Sequence, residues 1–587
     1  MNYALNADKN KKRKGEATRA LKKLAPLLAG EKKNLALAIF MALVWAAAAL
    51  LDPIIISRAI DLYIKNKDFH GVVVSVWQLL AVYLVALVAS YVQTLSLGGV
   101  GRRMLFNLRN ALFAKLQELP AAFFNQNKSG DLISRINNDT DKLNQFIGQA
   151  LMQFMRALFI IAGAGIFLVF LNPRLGLSAL VPAAVVLIAT RLLAGWVKAA
   201  NLKSLQSMGG MSSEIQESLA NFKVVAAFNR LDYFRDKFNG VNLKNFSASV
   251  KAGIANNIFT PIYGVASTLA QLVVLGYGIY LIGAGNFTIG LLIGYLLYVN
   301  SFYGPLRQLA TVWPTLQLAF AAINRISEVL AMKSDMKIVE DKFGIHKTDF
   351  QLEFRDVSFT YPEGKMVLNK VNLKLQKGKT YALVGPTGGG KTTTASLMAR
   401  LYDASEGDIL FEGKDIRSYP PEVRAQRIGF ILQEPILFTG TIRDNIVYGN
   451  GKYANCDDEQ LAKVLEGAGL SGLVARFNDG LKTKIASSAN TISLGQKQLV
   501  AFIRAVLREP DLLILDEATA NIDTVTEQLL EEIIKKLPKD TTKVIIAHRL
   551  NTIVNADEIY FVNAQKITPA GSMSQAVKML TGQKRTS

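Results

Sequence analysis

Residues 381–401 read YALVGPTGGGKTTTASLMARL, and this stretch decides the fold of the C-terminal part of the chain. Four residues of β-strand type, Tyr381 to Val384, run directly into a glycine-rich loop that ends in Lys391 and Thr392. A helix-compatible segment, 393–401, follows the loop. This succession of strand, Gly-x-x-x-x-Gly-Lys-Thr loop and helix defines a P-loop. The sequence therefore predicts a nucleoside triphosphate site here.

The residue types of the P-loop suit a triphosphate and its metal ion. Glycines let backbone N–H groups surround phosphate oxygens without a clash from a β-carbon. Lys391 is predicted to bind the β- and γ-phosphate oxygens, and the Thr392 hydroxyl to bind Mg²⁺ at the start of the helix. The remaining predicted nucleotide-binding residues of this stretch are Gly385, Pro386, Thr387, Gly388, Gly389, Gly390 and Thr393.

A second strand, further along the chain, ends in two carboxylates. The apolar run 512–515 is typical of a buried parallel strand, and Asp516 and Glu517 follow it. Asp516 is predicted to hold the metal ion through water, and Glu517 to polarise the attacking water as a general base. Adjacent acids are common on protein surfaces, but this position in a chain with a P-loop favours a catalytic interpretation.

The N-terminal half of the chain is much more apolar than the C-terminal half, as expected for a part that lies in a lipid bilayer. Apolar residues make up 50% of the 587 residues, and they are concentrated before about residue 310. A helix needs about 20 apolar residues to cross a bilayer. Six such segments begin near Leu35, Val72, Leu151, Leu175, Phe259 and Phe287. The predicted fold class is thus a membrane α-helical bundle of six transmembrane helices followed by a cytosolic α/β P-loop ATPase domain.

The distribution of basic residues predicts the orientation of the bundle. Ten Lys and Arg residues lie between positions 9 and 33, whereas the loop after the first span carries only Arg58, Lys65 and Lys67. Cytosolic segments of membrane proteins are enriched in such residues. The N-terminus is therefore expected in the cytosol, and six crossings return the chain to the same side. We expect a multi-pass protein of the cytoplasmic membrane with a cytosolic ATPase domain.

The net charge of +21 does not indicate nucleic-acid binding, because the basic residues are scattered along the chain. Their densest cluster, Lys9 to Lys14, precedes the first span, so the lipid bilayer is the expected partner. The single cysteine, Cys456, cannot form an internal disulfide, as expected for a domain in a reducing compartment.

The segments after the second and fourth spans, each about fifty residues long, are predicted to extend the spans as helices. Leu108, Leu112 and Leu116 recur at helical spacing in the first of them. From residue 351 onward, short strand-like runs replace the helical pattern. The expected domains are therefore a transmembrane domain at 1–330, a linker at 331–349 and a nucleotide-binding domain at 350–587.

Polar and aromatic side chains within the spans are the candidates for substrate contact. Arg191 is expected near the inner surface, where its long side chain reaches the headgroups. The others line a translocation path or, equally, pack between helices: Asn256, Asn257, Gln271, Asn300, Tyr295, Tyr298, Phe302 and Tyr303. No residue specifies the substrate, beyond a hydrophobic or amphipathic character.

Together these motifs resemble the ABC transporter superfamily, and specifically its exporters with membrane and nucleotide-binding domains fused in that order. The resemblance covers essentially the whole chain and implies ATP and Mg²⁺ as cofactors. It implies that Tyr361 stacks on adenine and that Gln433 senses Mg²⁺ and contacts the membrane helices. It further implies that Asp523 is the D-loop residue and that His548 contacts the γ-phosphate.

The catalytic set implied by this resemblance is Glu517, His548 and Lys391, and its metal-binding set is Thr392, Gln433 and Asp516. Segments 124–139 and 217–228 are similar to the first and second intracellular loops of the family. The first is expected to dock on the chain's own ATPase domain and the second on that of a partner.

The chain departs from the family at the signature motif. The family has Leu-Ser-Gly-Gly-Gln, whereas residues 492–496 read ISLGQ, with Leu494 in place of a glycine. In the family, the signature residues of one domain, here Ser493, Gly495 and Gln496, act on the ATP held by the partner's P-loop. A branched side chain between Ser493 and Gly495 hinders close approach to a phosphate. The hypothesis is therefore a second, different half-transporter as partner, and a homodimer with a tolerated variant is the alternative.

The mechanism that the resemblance implies is ATP-driven export of a hydrophobic or amphipathic substrate by alternating access. A GTPase is disfavoured because residues 369–372, NKVN, lack the final Asp of a guanine-reading motif. No kinase catalytic loop is present in the sequence either. An ATP-gated channel or a regulatory membrane subunit remains a further alternative, which Glu517 and His548 argue against.

Overall fold

The computed structural model describes residues 3–5, 29–344, 348–362, 364–486, 492–516, 524–546, 556–571, 574–575 and 578–579. The described chain forms two compact units. The membrane unit contains residues 29–116 and Ser129–Ala331. The ATPase unit contains the described residues from Met332 onward, together with residues 3–5 and Gln117–Lys128.

The membrane half of the chain is helical. The α-helices up to residue 330 are, in chain order, α1 (Lys32–Arg58), α2 (Phe69–Gln117), α3 (Ala121–Gln126), α4 (Ser129–Ser134), α5 (Thr140–Gln145), α6 (Leu151–Leu171), α7 (Pro173–Ala220), α8 (Phe222–Ala227), α9 (Leu231–Asn257), α10 (Phe259–Gly283) and α11 (Ile289–Leu330). Of these, α3 lies in the segment Gln117–Lys128, which belongs to the ATPase unit. Short π-helical turns extend α1 and join α4 to α5 and α5 to α6: Ala59–Ile64, Arg135–Asp139 and Phe146–Ala150.

Six helical stretches of the described chain are long and apolar enough to cross a membrane, which confirms the predicted bundle. They are Lys32–Ile64, Phe69–Gln117, Ser129–Leu171, Pro173–Ala220, Leu231–Gly283 and Ile289–Leu309. The second is 49 residues long, or roughly 70 Å, which is more than twice the thickness of the hydrocarbon layer. The helix therefore continues beyond the membrane, and the leucine stripe of this extension is buried.

Side-chain caps set the starts of two spanning helices. The Asn172 side chain accepts a hydrogen bond from the Leu175 N–H and so caps α7. At α11, Thr288 accepts from the Leu291 N–H, and Asp61 at the end of the first span accepts from the Gly290 N–H at 2.9 Å. Because the helix N-termini are capped, the turns between spans can be as short as one residue.

Three tyrosines of α11 join the spanning helices through their hydroxyl groups. Tyr298 donates to the Leu50 carbonyl at 2.6 Å, and Tyr303 donates to the Ala179 carbonyl at 2.8 Å. Tyr295 donates to the Asn172 carbonyl at 3.0 Å. All three rings are buried in the single chain. Of the two interpretations that the sequence left open for these tyrosines, helix packing is therefore the one that the contacts favour.

The ATPase unit is an α/β domain with two main sheets. Its strands are β1 (Phe350–Thr360), β2 (Met366–Gln376), β3 (Thr380–Val384), β4 (Glu406–Phe411), β5 (Lys414–Asp415), β6 (Ile428–Ile431), β7 (Gly440–Thr441), β8 (Lys484–Ile485), β9 (Leu512–Asp516), β10 (Thr542–Ile546), β11 (Glu558–Asn563) and β12 (Lys566–Pro569). Its helices are α12 (Lys391–Met398), α13 (Pro421–Arg427), α14 (Ile442–Ile446), α15 (Asp458–Gly467), α16 (Ser471–Val474), α17 (Leu494–Val506) and α18 (Thr524–Lys536).

The larger sheet has the strand order β12-β11-β3-β10-β9-β6, and all its pairings except β11 with β12 are parallel. Alternate residues of its strands enter different cores, as the two-residue period of a strand requires. Leu383 and Ile514 pack in the core that contains α12 and the antiparallel sheet β2-β1-β4-β5. Val384 and Leu515 pack in the core that contains α17 and α18. Both faces of the parallel sheet are thus covered by apolar side chains.

Candidate nucleotide site

The P-loop, residues 385–392, connects β3 to α12 as predicted. Gly385 has a φ of +151°, and a β-carbon there would lie 2.2 Å from the carbonyl oxygen of Val562. Gly390 is the N-cap of α12 and has a φ of +109°. L-residues with side chains rarely adopt such angles, so glycine is required at both positions. The loop therefore keeps its backbone N–H groups at the helix N-terminus, where an anion is stabilised.

The side chain of Lys391 lies within the P-loop. Its ammonium group donates to the carbonyl oxygens of Gly385 at 2.9 Å and Pro386 at 3.1 Å. Only 6% of the residue is exposed. The ammonium group is thus largely shielded from water and held in position by the loop. The oxygens of a triphosphate could replace the two carbonyl oxygens as its hydrogen-bond acceptors.

Three consecutive threonines of α12 have different surroundings. Thr392 is exposed at the first turn, so its hydroxyl is accessible to a ligand. Thr393 is buried, and its Oγ1 atom lies 3.0 Å from the Tyr361 hydroxyl. Thr394 is also buried and donates to the Gly390 carbonyl at 2.8 Å. Thr393 therefore fixes Tyr361, whereas Thr392 alone of the three presents its hydroxyl to solvent.

Tyr361 belongs to an aromatic cluster beside the P-loop. Its ring lies 4.9 Å from that of Phe359 and 5.7 Å from that of Tyr402, edge to face in both cases. The Tyr402 hydroxyl accepts a hydrogen bond from Asn125 at 2.6 Å. Burial raises the pKa of Tyr402. The ring contacts and the hydrogen bond to Thr393 fix the position of the Tyr361 side chain.

Two further predicted residues lie at the same edge of the parallel sheet as the P-loop. Asp516 is the last residue of β9 and is 1% exposed. Gln433 follows the end of β6 by two residues and is exposed. The strands β6, β9, β10 and β3 are consecutive neighbours and run parallel. Ligands of open α/β sheets bind outside this carboxyl edge.

The donor types at this edge fit Mg²⁺ bound together with a nucleotide. Thr392 offers a hydroxyl oxygen, Gln433 an amide oxygen and Asp516 a carboxylate. Magnesium prefers such oxygen ligands and is usually held by one or two carboxylates plus substrate phosphates. Within the described ranges, no cluster of three or more His, Cys, Asp or Glu side chains could hold a metal ion by itself. The metal site would therefore be completed by the nucleotide.

Three predicted residues lie outside the described part of the chain: Glu517, Asp523 and His548. The strands that precede Glu517 and His548 are described. Glu517 directly follows β9, and β10 ends at Ile546, two residues before His548. Since β10 lies between β3 and β9 and pairs with both in parallel, β9 and β10 end at the edge that carries the P-loop.

The signature residues form the start of α17. Ser493 is the N-cap, and its hydroxyl accepts from the Gln496 N–H at 3.2 Å. In return the Gln496 side chain accepts from the Ser493 N–H at 3.0 Å, which completes a capping box. Leu494 occupies the first helical position with 41% of its surface exposed. Gly495 follows it in the first turn. The substituted position is therefore at the surface, not in the core.

Residues 3–5, here called the N-terminal strap, lie on α3 in the ATPase unit. The Tyr3 N–H donates to the Gln126 side chain at 2.8 Å, and the Leu5 N–H donates to the Asn127 side chain at 2.9 Å. The Tyr3 hydroxyl donates to the Asp335 carboxylate and accepts from the Asp335 N–H at 2.9 Å. Burial and Asp335 raise the pKa of Tyr3 to about 12.

Sequence reasoning missed the strap because an isolated Tyr-Ala-Leu among polar residues carries no periodic signal. The only available hint was an aromatic residue in an otherwise polar N-terminal segment. The contacts of Tyr3 depend on residues 123 and 332 positions away in sequence, and only the folded chain brings these together.

Comparison with known proteins identifies both halves of the chain. A family model described as "ABC transporter transmembrane region" matches residues 35–306. A second, described as "ABC transporter", matches residues 368–520. The two matches follow one another in the order of the membrane and ATPase units.

Full-length relatives are similar to the chain over both parts. It is 31% identical to the "Uncharacterized ABC transporter ATP-binding protein YfiC" of Bacillus subtilis (strain 168), over 95% of this chain and 92% of that protein. It is 30% identical to the "Multidrug resistance ABC transporter ATP-binding and permease protein" of Lactococcus lactis subsp. lactis (strain IL1403), over 85% and 84%. It is also 30% identical to the "Fatty acid ABC transporter ATP-binding/permease protein" of Mycobacterium bovis, over 87% and 80%.

Proposed function

The chain belongs to the ABC transporter family, and from this premise we propose that it is one half of a dimeric exporter of hydrophobic or amphipathic molecules. It is a multi-pass membrane protein that binds ATP and couples ATP hydrolysis to transport. The proposal adds the direction, the type of substrate and the partner. The observation that carries the choice of partner is the exposed Leu494 at the first turn of the signature helix.

The proposed roles of the site residues follow from their positions at the carboxyl edge of the parallel sheet. The P-loop amides and Lys391 bind the phosphates, and Tyr361 stacks on the adenine. Thr392, Gln433 and the buried Asp516 would hold Mg²⁺, which neutralises charge on the phosphate oxygens. Glu517 would accept a proton from the attacking water, and His548 would contact the γ-phosphate. Asp523 is assigned to the D-loop.

The Glu517 assignment can be tested apart from transport. Glu517→Gln should bind ATP with nearly native affinity but hydrolyse it at least about a hundredfold more slowly, within the range reported for loss of a general base. A single-turnover measurement with radiolabelled ATP separates the two effects. Native hydrolysis by this variant would show that another group is the base.

We assign a different half-transporter as the partner because of the signature geometry. Ser493, Gly495 and Gln496 would face the ATP held by the partner's P-loop, and the Leu494 side chain stands among them. An exposed leucine there hinders the approach of a phosphate to the helix N-terminus. The ATP site built from the chain's own Lys391 depends instead on the partner's signature. One competent site and one impaired site are the expected result.

The proposed orientation places the N-terminus and the ATPase unit in the cytosol, in the cytoplasmic membrane. The excess of basic residues before the first span supports this orientation. Closure of two ATPase units on ATP would switch the membrane helices from inward to outward access, and hydrolysis would reset them. The multidrug and fatty-acid relatives support an apolar or amphipathic substrate.

The deciding experiment compares ATP hydrolysis by the purified chain alone in lipid with hydrolysis by the chain coexpressed with a half-transporter encoded beside it. Activity that appears only with the partner is the expected result. Strong activity from the chain alone would establish the alternative, a homodimeric exporter that tolerates Leu494.

An ATP-gated channel or a regulatory subunit is distinguished by transport itself. Inverted vesicles that contain the active assembly should accumulate a lipophilic dye against its gradient when ATP is added. A gated channel can only equilibrate the dye, so a level that never exceeds the outside concentration would contradict export.

A further inference from the structure

Arg156 is a charged residue inside the third span. It lies sixteen residues before Asn172, where α6 has ended, or about 24 Å along the helix axis. With a hydrocarbon layer about 30 Å thick, Arg156 is therefore near the cytosolic boundary if the proposed orientation holds. The side chain is only partly exposed in the single chain. An arginine near the boundary can extend to the headgroups, but a partly buried one within a span is a functional-site hypothesis by default.

The guanidinium group of Arg156 is enclosed by polar and aromatic groups of two other helices. Its Nε donates to the Gln93 side-chain oxygen at 2.6 Å, and its Nη2 donates to the Ser90 hydroxyl at 2.9 Å. Both partners are on α2. The guanidinium carbon also lies 4.6 Å from the centre of the Trp45 ring on α1. This cation–π contact and the two hydrogen bonds hold the fork in one orientation.

Across the residues that the structure describes, Arg156 takes part in no ion pair. The two acceptors that it reaches are neutral, and they occupy only Nε and Nη2. A bidentate carboxylate or phosphate is the natural partner of an arginine fork.

A second, independent observation concerns Gln93. The residue is fully buried, and its side-chain nitrogen has no hydrogen-bond partner among the described residues. Buried polar groups are normally satisfied, so an unpaired donor requires an explanation. The oxygen of the same amide accepts from Arg156. Within the described part of the chain, the donors of Arg156 and Gln93 therefore meet at the junction of α1, α2 and α6 without a carboxylate to accept from them.

Exposed apolar side chains near the cluster in sequence lie on another face of their helix. Tyr91 and Leu95 on α2 are 65% and 52% exposed, and each is two residues from Gln93, or about 200° around the helix axis. Helical residues two apart do not face each other. The cluster therefore specifies only the anionic headgroup, and the apolar part of the ligand follows from the proposed function.

We propose that Arg156, with Gln93 and Trp45, recognises the anionic headgroup of the exported substrate, a phosphate or carboxylate amphipath that enters from the inner leaflet. This inference rests on the proposed function and specifies its substrate class. The headgroup oxygens would accept from the Arg156 fork, and the unpaired Gln93 donor would turn toward them when the helices rearrange.

The test is binding of two lysolipids with the same oleoyl chain to the purified full-length chain in a neutral detergent, measured by native mass spectrometry. The probes are oleoyl lysophosphatidylglycerol, which is anionic, and oleoyl lysophosphatidylcholine, which is zwitterionic. The wild type should bind the anionic probe roughly tenfold more tightly, which is the gain of one good charge-assisted contact. Arg156→Gln should abolish this preference.

Two variants make the result interpretable. Arg156→Lys keeps the charge but not the fork, so it should retain only part of the preference and also report a folded protein. Arg191→Gln is the matched control. Arg191 lies eighteen residues after Pro173, at a similar depth, but is exposed. Its loss should leave the preference for the anionic probe unchanged.

The same probes should then stimulate ATP hydrolysis by the active assembly, the anionic one at lower concentration than the zwitterionic one. An unchanged headgroup preference in Arg156→Gln would overturn the proposal, as would an equal loss in Arg191→Gln. Loss of binding without any change in stimulation would mean a resident lipid site and would contradict the substrate role. An assembly that hydrolyses no ATP would refute the proposed function instead, because the binding measurement requires no ATP.

Discussion

The ammonium nitrogen of Lys391 lies 2.9 Å from the carbonyl oxygen of Gly385, so this side chain links the two ends of the P-loop. The buried cation lies where the oxygens of a triphosphate could replace these carbonyl contacts.

Replacement of Lys391 by Ala should abolish most ATP binding. The variant loses the charge-assisted contacts to the phosphates, worth about 3 kcal/mol, or roughly a hundredfold in Kd. Isothermal titration with a non-hydrolysable ATP analogue would measure the change. Lys374→Ala is the control, because the Lys374 side chain is 58% exposed and pairs with Glu353 on the neighbouring strand of the antiparallel sheet. ATP affinity within threefold of the wild type in Lys391→Ala would contradict the assignment.

The two functions assigned to Tyr361 can be separated by substitution. Tyr361→Phe keeps the ring and loses the hydrogen bond to Thr393, so nucleotide affinity should change by less than about threefold, the loss of one modest contact. Tyr361→Leu removes the aromatic face and should weaken adenine binding by about tenfold, as expected for about 1.4 kcal/mol of stacking.

Fluorescence titration with ATP and with inorganic triphosphate would test the Tyr361 assignment. Only ATP carries the base, so Tyr361→Leu should leave triphosphate binding unaffected. An equal loss for both ligands would instead indicate that the P-loop has been disturbed.

Leu494→Gly should raise the ATPase activity of the purified chain alone. Without the branched side chain, a phosphate held by a second copy could approach the N-terminus of α17. The cap should survive, because the Ser493 and Gln496 groups that form it remain. A rise of about tenfold or more in steady-state hydrolysis is expected, comparable to the recovery of one phosphate contact.

Leu494→Ala is the matched control for this gain, because it shortens the side chain but keeps a β-carbon and good helix propensity. It should give a smaller gain than glycine. If neither variant exceeds the activity of the wild-type chain, Leu494 is not what limits the site.

The contact between Tyr3 and Asp335 should be visible in hydrogen exchange. Tyr3→Phe removes the hydroxyl that accepts from the Asp335 N–H, a loss of about 1 kcal/mol, and that amide should exchange roughly fivefold faster. Peptides that cover α3 should show a smaller increase, because the backbone bonds of the strap remain. Peptides of β9 serve as the internal control. Unchanged exchange at Asp335 would show that the strap does not hold this segment.

Much of the architecture was predictable because it depends on local patterns. Hydropathy identified the six spans, since each must satisfy its backbone within one helix and cover it with apolar residues. The P-loop was equally clear, because its glycines and Lys391 are required at fixed spacing for reasons internal to the loop. The family match supports the resemblance that these motifs suggested.

The contacts of single side chains were less predictable. Tyr295, Tyr298 and Tyr303 were equally compatible with a translocation path and with helix packing, and only the positions of the facing carbonyls favour packing. The contact between the Thr393 and Tyr361 hydroxyls was likewise not evident from the sequence. The sequence did not indicate a role for Arg156, because its contacts are with residues of two other helices.

The sequence by itself determined the elements that rest on short-range physics: apolar spans of bilayer length, a glycine loop between strand and helix, and carboxylates at the end of a buried strand. The tertiary structure alone decided which residues meet. It brought Asp516 and Gln433 to the edge of the P-loop through parallel strand order, placed the strap on α3, and left Arg156 beside Gln93 without an acid. Such contacts join residues far apart in the chain, so only folding of the whole chain could establish them.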